Sequence, residues 1–148
     1  MEKLIEAMRT YMASNFSLYL KSHTAHWNVS GIHFQSLHAL FQEQYEDLQD
    51  QIDVIAEKMR RLDFFVPAGL AEFEARSIFD DFTVAISATA YLEALLEDHD
   101  AMLKLLKDVF KEAERMNNQA LMNYLADRMD THQLHRWKIR TSLNAVKD

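Results

Sequence analysis

The chain has no cysteine, one proline and two glycines in 148 residues. Average usage of about 7% glycine and 5% proline would give roughly ten and seven. Without cysteine there is no disulfide, no thiolate metal site and no cysteine nucleophile. So few turn-formers exclude a fold rich in tight turns and leave a chain made mostly of long helices. No run approaches the roughly 20 apolar residues that cross a bilayer. Charges interrupt the apolar pattern of the N-terminal stretch MEKLIEAMRTYMASNFSLYL, which therefore reads as an amphipathic helix and not as an export signal, so a cytoplasmic location is expected. Positive charge is also short: 16 Lys and Arg stand against 23 Asp and Glu, for a formal net charge of −7. That balance opposes sequence-independent attraction to DNA or anionic membrane and suits the attraction of cations.

With 49% hydrophobic and 26% charged residues, the composition is that of a globular protein and excludes a disordered chain. The length suits one core, so residues 1–148 are read as a single domain. A first helix is expected from about Lys3 to Trp27, with Ile5, Met8, Met12, Phe16 and Tyr19 at three- and four-residue spacings. After a break at Asn28 to Gly31, a second carries Phe34, His38, Phe41, Tyr45, Leu48, Ile52, Ile55, Met59 and Leu62 along one seam. Pro67 and Gly69 mark a connection over Asp63 to Asp81 with a short helix near Leu70 to Arg76. A third long helix is expected from about Phe82 to Met116, with Leu92, Leu95, His99, Met102, Leu106 and Val109 on one stripe. The fourth starts near Asn117 or Asn118, which are good caps, and runs to about Val146. This pattern predicts an all-α, ferritin-like four-helix bundle with a short extra helix in the long connection between the second and third long helices.

Metal-ligand residue types recur at informative spacing only around His26, His38, Asp53 and Glu57. Asp53 and Glu57 lie four apart, on one helix face, where two carboxylates can grip a hard cation; such pairs are also common on solvated helix surfaces. His38 sits on the apolar seam, where a hydrogen-bonded core residue is the bland alternative. His23 and His26 are three apart at the end of the first helix and could simply cap it, while His33 falls in the turn. His38 and Asp53 are fifteen positions apart on one helix, hence roughly 22 Å at about 1.5 Å per residue. One chain cannot bring both to one ion. Two copies of this helix, antiparallel across a two-fold axis, could.

The stretch KSHTAHWNVSGIHFQSLHALFQEQYEDLQDQIDVIAEKMRRL, residues 21–62, resembles the ferroxidase signature of the Dps family, DNA-binding proteins from starved cells, with His26, His38, Asp53 and Glu57 in register. Weaker similarity covers LEALLEDHDAMLKLL, residues 92–106, and the region of Trp137. The resemblance implies a hollow homo-oligomer of twelve subunits with di-iron sites at two-fold interfaces. His26 and His38 of one subunit would supply nitrogen ligands, Asp53 and Glu57 of its neighbour oxygen ligands, and Glu57 would bridge two irons. It implies peroxide-driven oxidation of Fe(II), with O2 a slower oxidant, and storage of the ferric product.

Gln42 stands where the family usually has an acidic ligand, so the second iron position is expected to be weakly held. Trp27 resembles a family tryptophan near the site and is read either as a radical quencher or as an interface or core aromatic. Asp127 and Asp130 resemble acids that line iron-entry pores, and read equally well as solvated surface acids. His99, His132 and His135 are read as structural. None of the seven histidines follows a glutamate by three residues, which argues against a ferritin site held inside one bundle. Imidazole with carboxylate suits Fe(II) but also admits Zn(II) or Mn(II), leaving a helical assembly with a vestigial or zinc-holding site as one alternative. A DNA-coating protein is the other. Only Lys3 and Arg9 lie near the start, and the end, WKIRTSLNAVKD, is mildly basic, so little or no DNA binding is expected at physiological salt.

Overall fold

The computed structural model describes residues 1–82 and 86–147, the side chains of 145–147 excepted, and within them the chain forms α-helices and no strand. In chain order these are α1 (Glu2–Asn28), α2 (Phe34–Arg60), α3 (Leu70–Arg76), α4 (Ala88–Arg115) and α5 (Gln119–Lys147). The four long helices make the expected bundle, and α3 lies in the connection between α2 and α4. Two hairpins, α1 with α2 and α4 with α5, carry most of the packing; α1 also lies against α4, and α3 covers α1.

Short, well-terminated joints set this arrangement. Between α1 and α2 the chain turns through Gly31 at φ +106°, a conformation L side chains rarely adopt. At the end of α4, Asn117 takes a left-handed φ of 52°, while its N–H bonds to Glu114 O and that of Asn118 to Ala113 O. This is a Schellman closure with asparagine in place of glycine. The Asn118 side chain then accepts from Leu121 N at 3.0 Å and caps α5, so one helix stops and the next starts within three residues.

The third long helix begins at Ala88, six residues later than its apolar pattern suggests. Ser87 is extended, with ψ 158°, and its hydroxyl accepts from Ala90 N at 3.1 Å, which makes it the N-cap. Phe82, expected at the helix start, instead lies edge-on to Tyr91 at 5.3 Å, with the Lys21 ammonium 4.6 Å from its ring centre. An apolar residue that packs before the helix begins mimics helical periodicity; residues 83–85 of the expected helix lie outside those described. The second helix likewise ends at Arg60, short of Leu62. Ser87→Ala should cost about 1 kcal/mol, the usual loss for an N-cap hydroxyl, and lower the midpoint of urea unfolding followed by helical circular dichroism.

The core is built from Leu4, Met8 and Leu18 of α1, Phe41, Leu48, Ile55 and Met59 of α2, Leu92, Leu95, Met102 and Leu106 of α4, and Leu125 and Ile139 of α5. One layer of it is polar. Arg128 of α5 donates two hydrogen bonds, each 2.9 Å, to the Asp47 carboxylate of α2, and His135 Nε2 donates to the same carboxylate at 2.8 Å. Beside them, His99 of α4 and His132 of α5 face each other Nδ1 to Nδ1 at 2.9 Å. Burial alone would raise the Asp47 pKa, but the hydrogen bonds from His135 and Arg128 hold the carboxyl far below the ordinary range. Burial, with neighbouring positive charge, keeps His99 and His132 well below the usual histidine value.

Candidate metal centre

The short α1–α2 turn sets the last turn of α1 beside the first turns of α2, which brings His26 against His38. Each ring donates from Nδ1 to the backbone carbonyl of the other: His26 to His38 O and His38 to His26 O, both at 2.7 Å. The rings stack with centroids 3.7 Å apart and planes 16° apart. A carbonyl oxygen only accepts, so Nδ1 must carry the proton in both neutral rings, and each Nε2 is left with its lone pair. Holding the second nitrogen on a carbonyl is how proteins fix the tautomer and orientation of a metal-ligating histidine.

Aromatic rings wall this pair. Phe34 covers His38 at 4.9 Å, and Tyr45 stands edge-on to His26 at 5.1 Å. His23 is sandwiched between Trp27, at 3.8 Å, and Tyr45, at 3.9 Å and nearly parallel, and its Nδ1 is 3.3 Å from the Tyr19 hydroxyl. Burial, then the neighbouring His26, lowers the His23 pKa. Trp27 is 60% exposed and is no core residue of the subunit. His33 is exposed at the start of α2, without a side-chain cap bond.

Asp53 and Glu57 lie on α2, both exposed, and neither enters a hydrogen bond or ion pair among the described residues. Fifteen residues of unbroken helix separate His38 from Asp53, so the roughly 22 Å inferred from helical rise stands. Among the described residues of one chain, no three His, Cys, Asp or Glu side chains are placed to hold a metal ion together. Within one chain the imidazole pair of His26 and His38 thus lies well apart from the carboxylates of Asp53 and Glu57.

Gln42 is exposed and gives its amide N–H to Glu46 at 2.9 Å, a carboxylate one turn further along α2 that sequence reasoning did not single out. Asp127 and Asp130 are exposed on α5, away from the histidine pair in sequence and in helix.

The family profile described as a ferritin-like domain matches residues 5–148. A low-temperature-induced protein of Nostoc is 29% identical over 140 residues, covering 93% of this chain and 78% of that protein. DNA protection during starvation protein 2 of Bacillus anthracis is 27% identical over 143 residues, 97% of this chain and 98% of that one. Among solved structures, a Dps protein from Bacillus brevis superposes with a TM-score of 0.91 at 25% identity, over 95% of this chain and 94% of the other.

Proposed function

Since the chain belongs to the Dps family of the ferritin-like superfamily, we propose that it stores and detoxifies iron by oxidising Fe(II) with hydrogen peroxide at sites built by two subunits together. The observation that carries this reading is the crossed pair of hydrogen bonds that leaves Nε2 of His26 and His38 bare and oriented. Two imidazole nitrogens alone make an incomplete site for Fe(II), and the unpaired carboxylates of Asp53 and Glu57 are the complementary set. With two antiparallel copies, the histidine end of one meets the carboxylate end of the other, and the site occurs twice per pair. Glu57 would bridge two irons.

Fe(II) is a substrate here. Two irons each give one electron to a single peroxide, its O–O bond breaks, and both oxygens leave as water once protons are supplied, so no hydroxyl radical is released. The histidines and carboxylates hold the two ions close enough to give both electrons to one peroxide, and the aromatic wall shields the imidazole side. Twelve subunits would enclose the ferric product in a cytoplasmic shell, with Asp127 and Asp130 lining its entry pores. The net charge of −7 favours cations over DNA, so any protection of DNA would come from removing iron and peroxide rather than from coating.

Metal-free protein given Fe(II) without oxygen and then peroxide should yield ferric absorbance with two irons oxidised per peroxide, and should elute as a twelve-chain shell. Elution as a stable monomer, or a stoichiometry of one iron per peroxide, would overturn the proposal. Gln42→Glu sharpens the test at the second iron position. Restoring a carboxylate there should tighten the weaker of two Fe(II) binding events about tenfold in anaerobic calorimetry, while the stronger event stays unchanged.

A further inference from the structure

The polar layer within the bundle contains none of the proposed iron ligands, and its hydrogen bonds restrict where its protons sit. Arg128 Nη2 lies 3.5 Å from His132 Nε2, and a guanidinium only donates, so that nitrogen must keep its lone pair. His132 therefore carries its proton on Nδ1 and gives it to His99 Nδ1, 2.9 Å away. His99 in turn carries its proton on Nε2, which is buried and has no partner. On the other side His135 gives its Nε2 proton to Asp47, leaving a buried, unpartnered lone pair on Nδ1. Neither His99 nor His132 retains a free lone pair. A proton can reach them only by turning His132 Nε2–H against the Arg128 guanidinium or by breaking the imidazole–imidazole bond.

The surrounding charges do not help. From α1 the cluster meets the Tyr11 phenol, and from α2 Gln44 and Asp47; α4 contributes His99, and α5 contributes Tyr124, Arg128, His132 and His135. Asp47 is the one carboxylate in contact with the cluster among the described residues, and Arg128 and His135 already share it. Each added proton therefore puts further positive charge into a buried layer whose contacting carboxylate is already taken.

We propose that His99, His132 and His135 with Arg128 and Asp47 form an acid-operated latch, which ties α4 and α5 to α2 at neutral pH and releases them in mild acid. The sign follows from proton linkage. The folded chain holds His99 and His132 neutral, whereas the unfolded chain protonates them below about pH 6.5. The latch is therefore fully closed above that value, and its contribution is lost as pH falls below it. A shell of such subunits would give up its contents in acid, a consequence that rests on the storage reading, whereas the latch itself does not.

The test uses the assembled, iron-free protein, with urea unfolding followed by helical circular dichroism between pH 7.5 and 4.5. Two protons taken up on unfolding should raise the unfolding constant about 100-fold per pH unit below the histidine range. His99→Gln with His132→Gln keeps a donor–acceptor chain that does not titrate, and should remove most of that slope. His33→Gln, which replaces a solvated ring, should keep it. A double variant with the wild-type slope overturns the proposal. If the double variant does not fold at pH 7.5, the wild-type ring resonances decide: His99 and His132 should stay neutral until helix is lost, and titration of either ring in a chain with native helix content overturns the latch.

Discussion

Asp53→Ala should lower the initial rate of peroxide-driven Fe(II) oxidation by about 100-fold or more, and His38→Ala should do the same although it alters the opposite end of α2. Outer partners of metal ligands already cost about 10- to 100-fold when removed, and these side chains are assigned as direct ligands. Asp53 is exposed and unpaired, so its loss should leave the unfolding midpoint within the small range of ordinary surface changes, about 0.5 kcal/mol. A fall in rate then reports on the site and not on folding. The decisive form of the experiment mixes the two variants. If each site takes its imidazoles from one subunit and its carboxylates from another, as proposed, shells reassembled from equal amounts should have about one quarter of their sites intact. Two nearly inactive proteins would together regain about a quarter of the wild-type rate. If mixed shells stay as inactive as either parent, the ligands belong to one chain and the shared-site reading fails.

Arg128→Ala should destabilise the bundle by about 3 kcal/mol, measured as the shift in the urea midpoint multiplied by its slope. Its guanidinium side chain is 5% exposed and meets Asp47 through two 2.9 Å bonds. Removing one member of a buried pair leaves the other charge desolvated and uncompensated, which typically costs about 3–5 kcal/mol. Asp47 keeps 23% of its side-chain surface and its bond from His135, which argues for the lower end of that range. Joining Arg128→Met to Asp47→Leu should recover much of the loss, since apolar replacement of a whole buried pair is often neutral or better. If the double variant is no more stable than Arg128→Ala alone, stranded charge is not the cause.

Much of this architecture was legible in the sequence because it rests on local chemistry. Pro67 and Gly69 lie just before α3, and the short helix falls at Leu70–Arg76 as expected. Asn118 was a candidate cap and is one, because its short amide reaches the free N–H of Leu121. Residue type and register singled out His26, His38, Asp53 and Glu57 as candidate ligands. The interlock of His26 with His38 was not, since twelve positions in sequence say nothing about how tightly the intervening turn closes. The Asp47 network was less visible still. Its bonds span 81 and 88 residues, Asp47 reads in isolation as one more surface acid, and the three histidines read singly as ordinary core residues. Pairing across helices is a property of rotation about each helix axis, to which a periodic pattern is only loosely tied. The misplaced start of α4 has the opposite cause: Phe82 is apolar because it meets Tyr91 and Lys21, although it is not helical.

The distance along α2 between the imidazole end and the carboxylate end carries a kinetic consequence. If the proposed pocket is shared, a newly made polypeptide on its own would be inert towards iron, and turnover in dilute solution would grow with the square of protein concentration until pairing is complete. Mineral formation would thereby be confined to molecules that have already found a copy of themselves, and a stray unassembled chain would nucleate no rust.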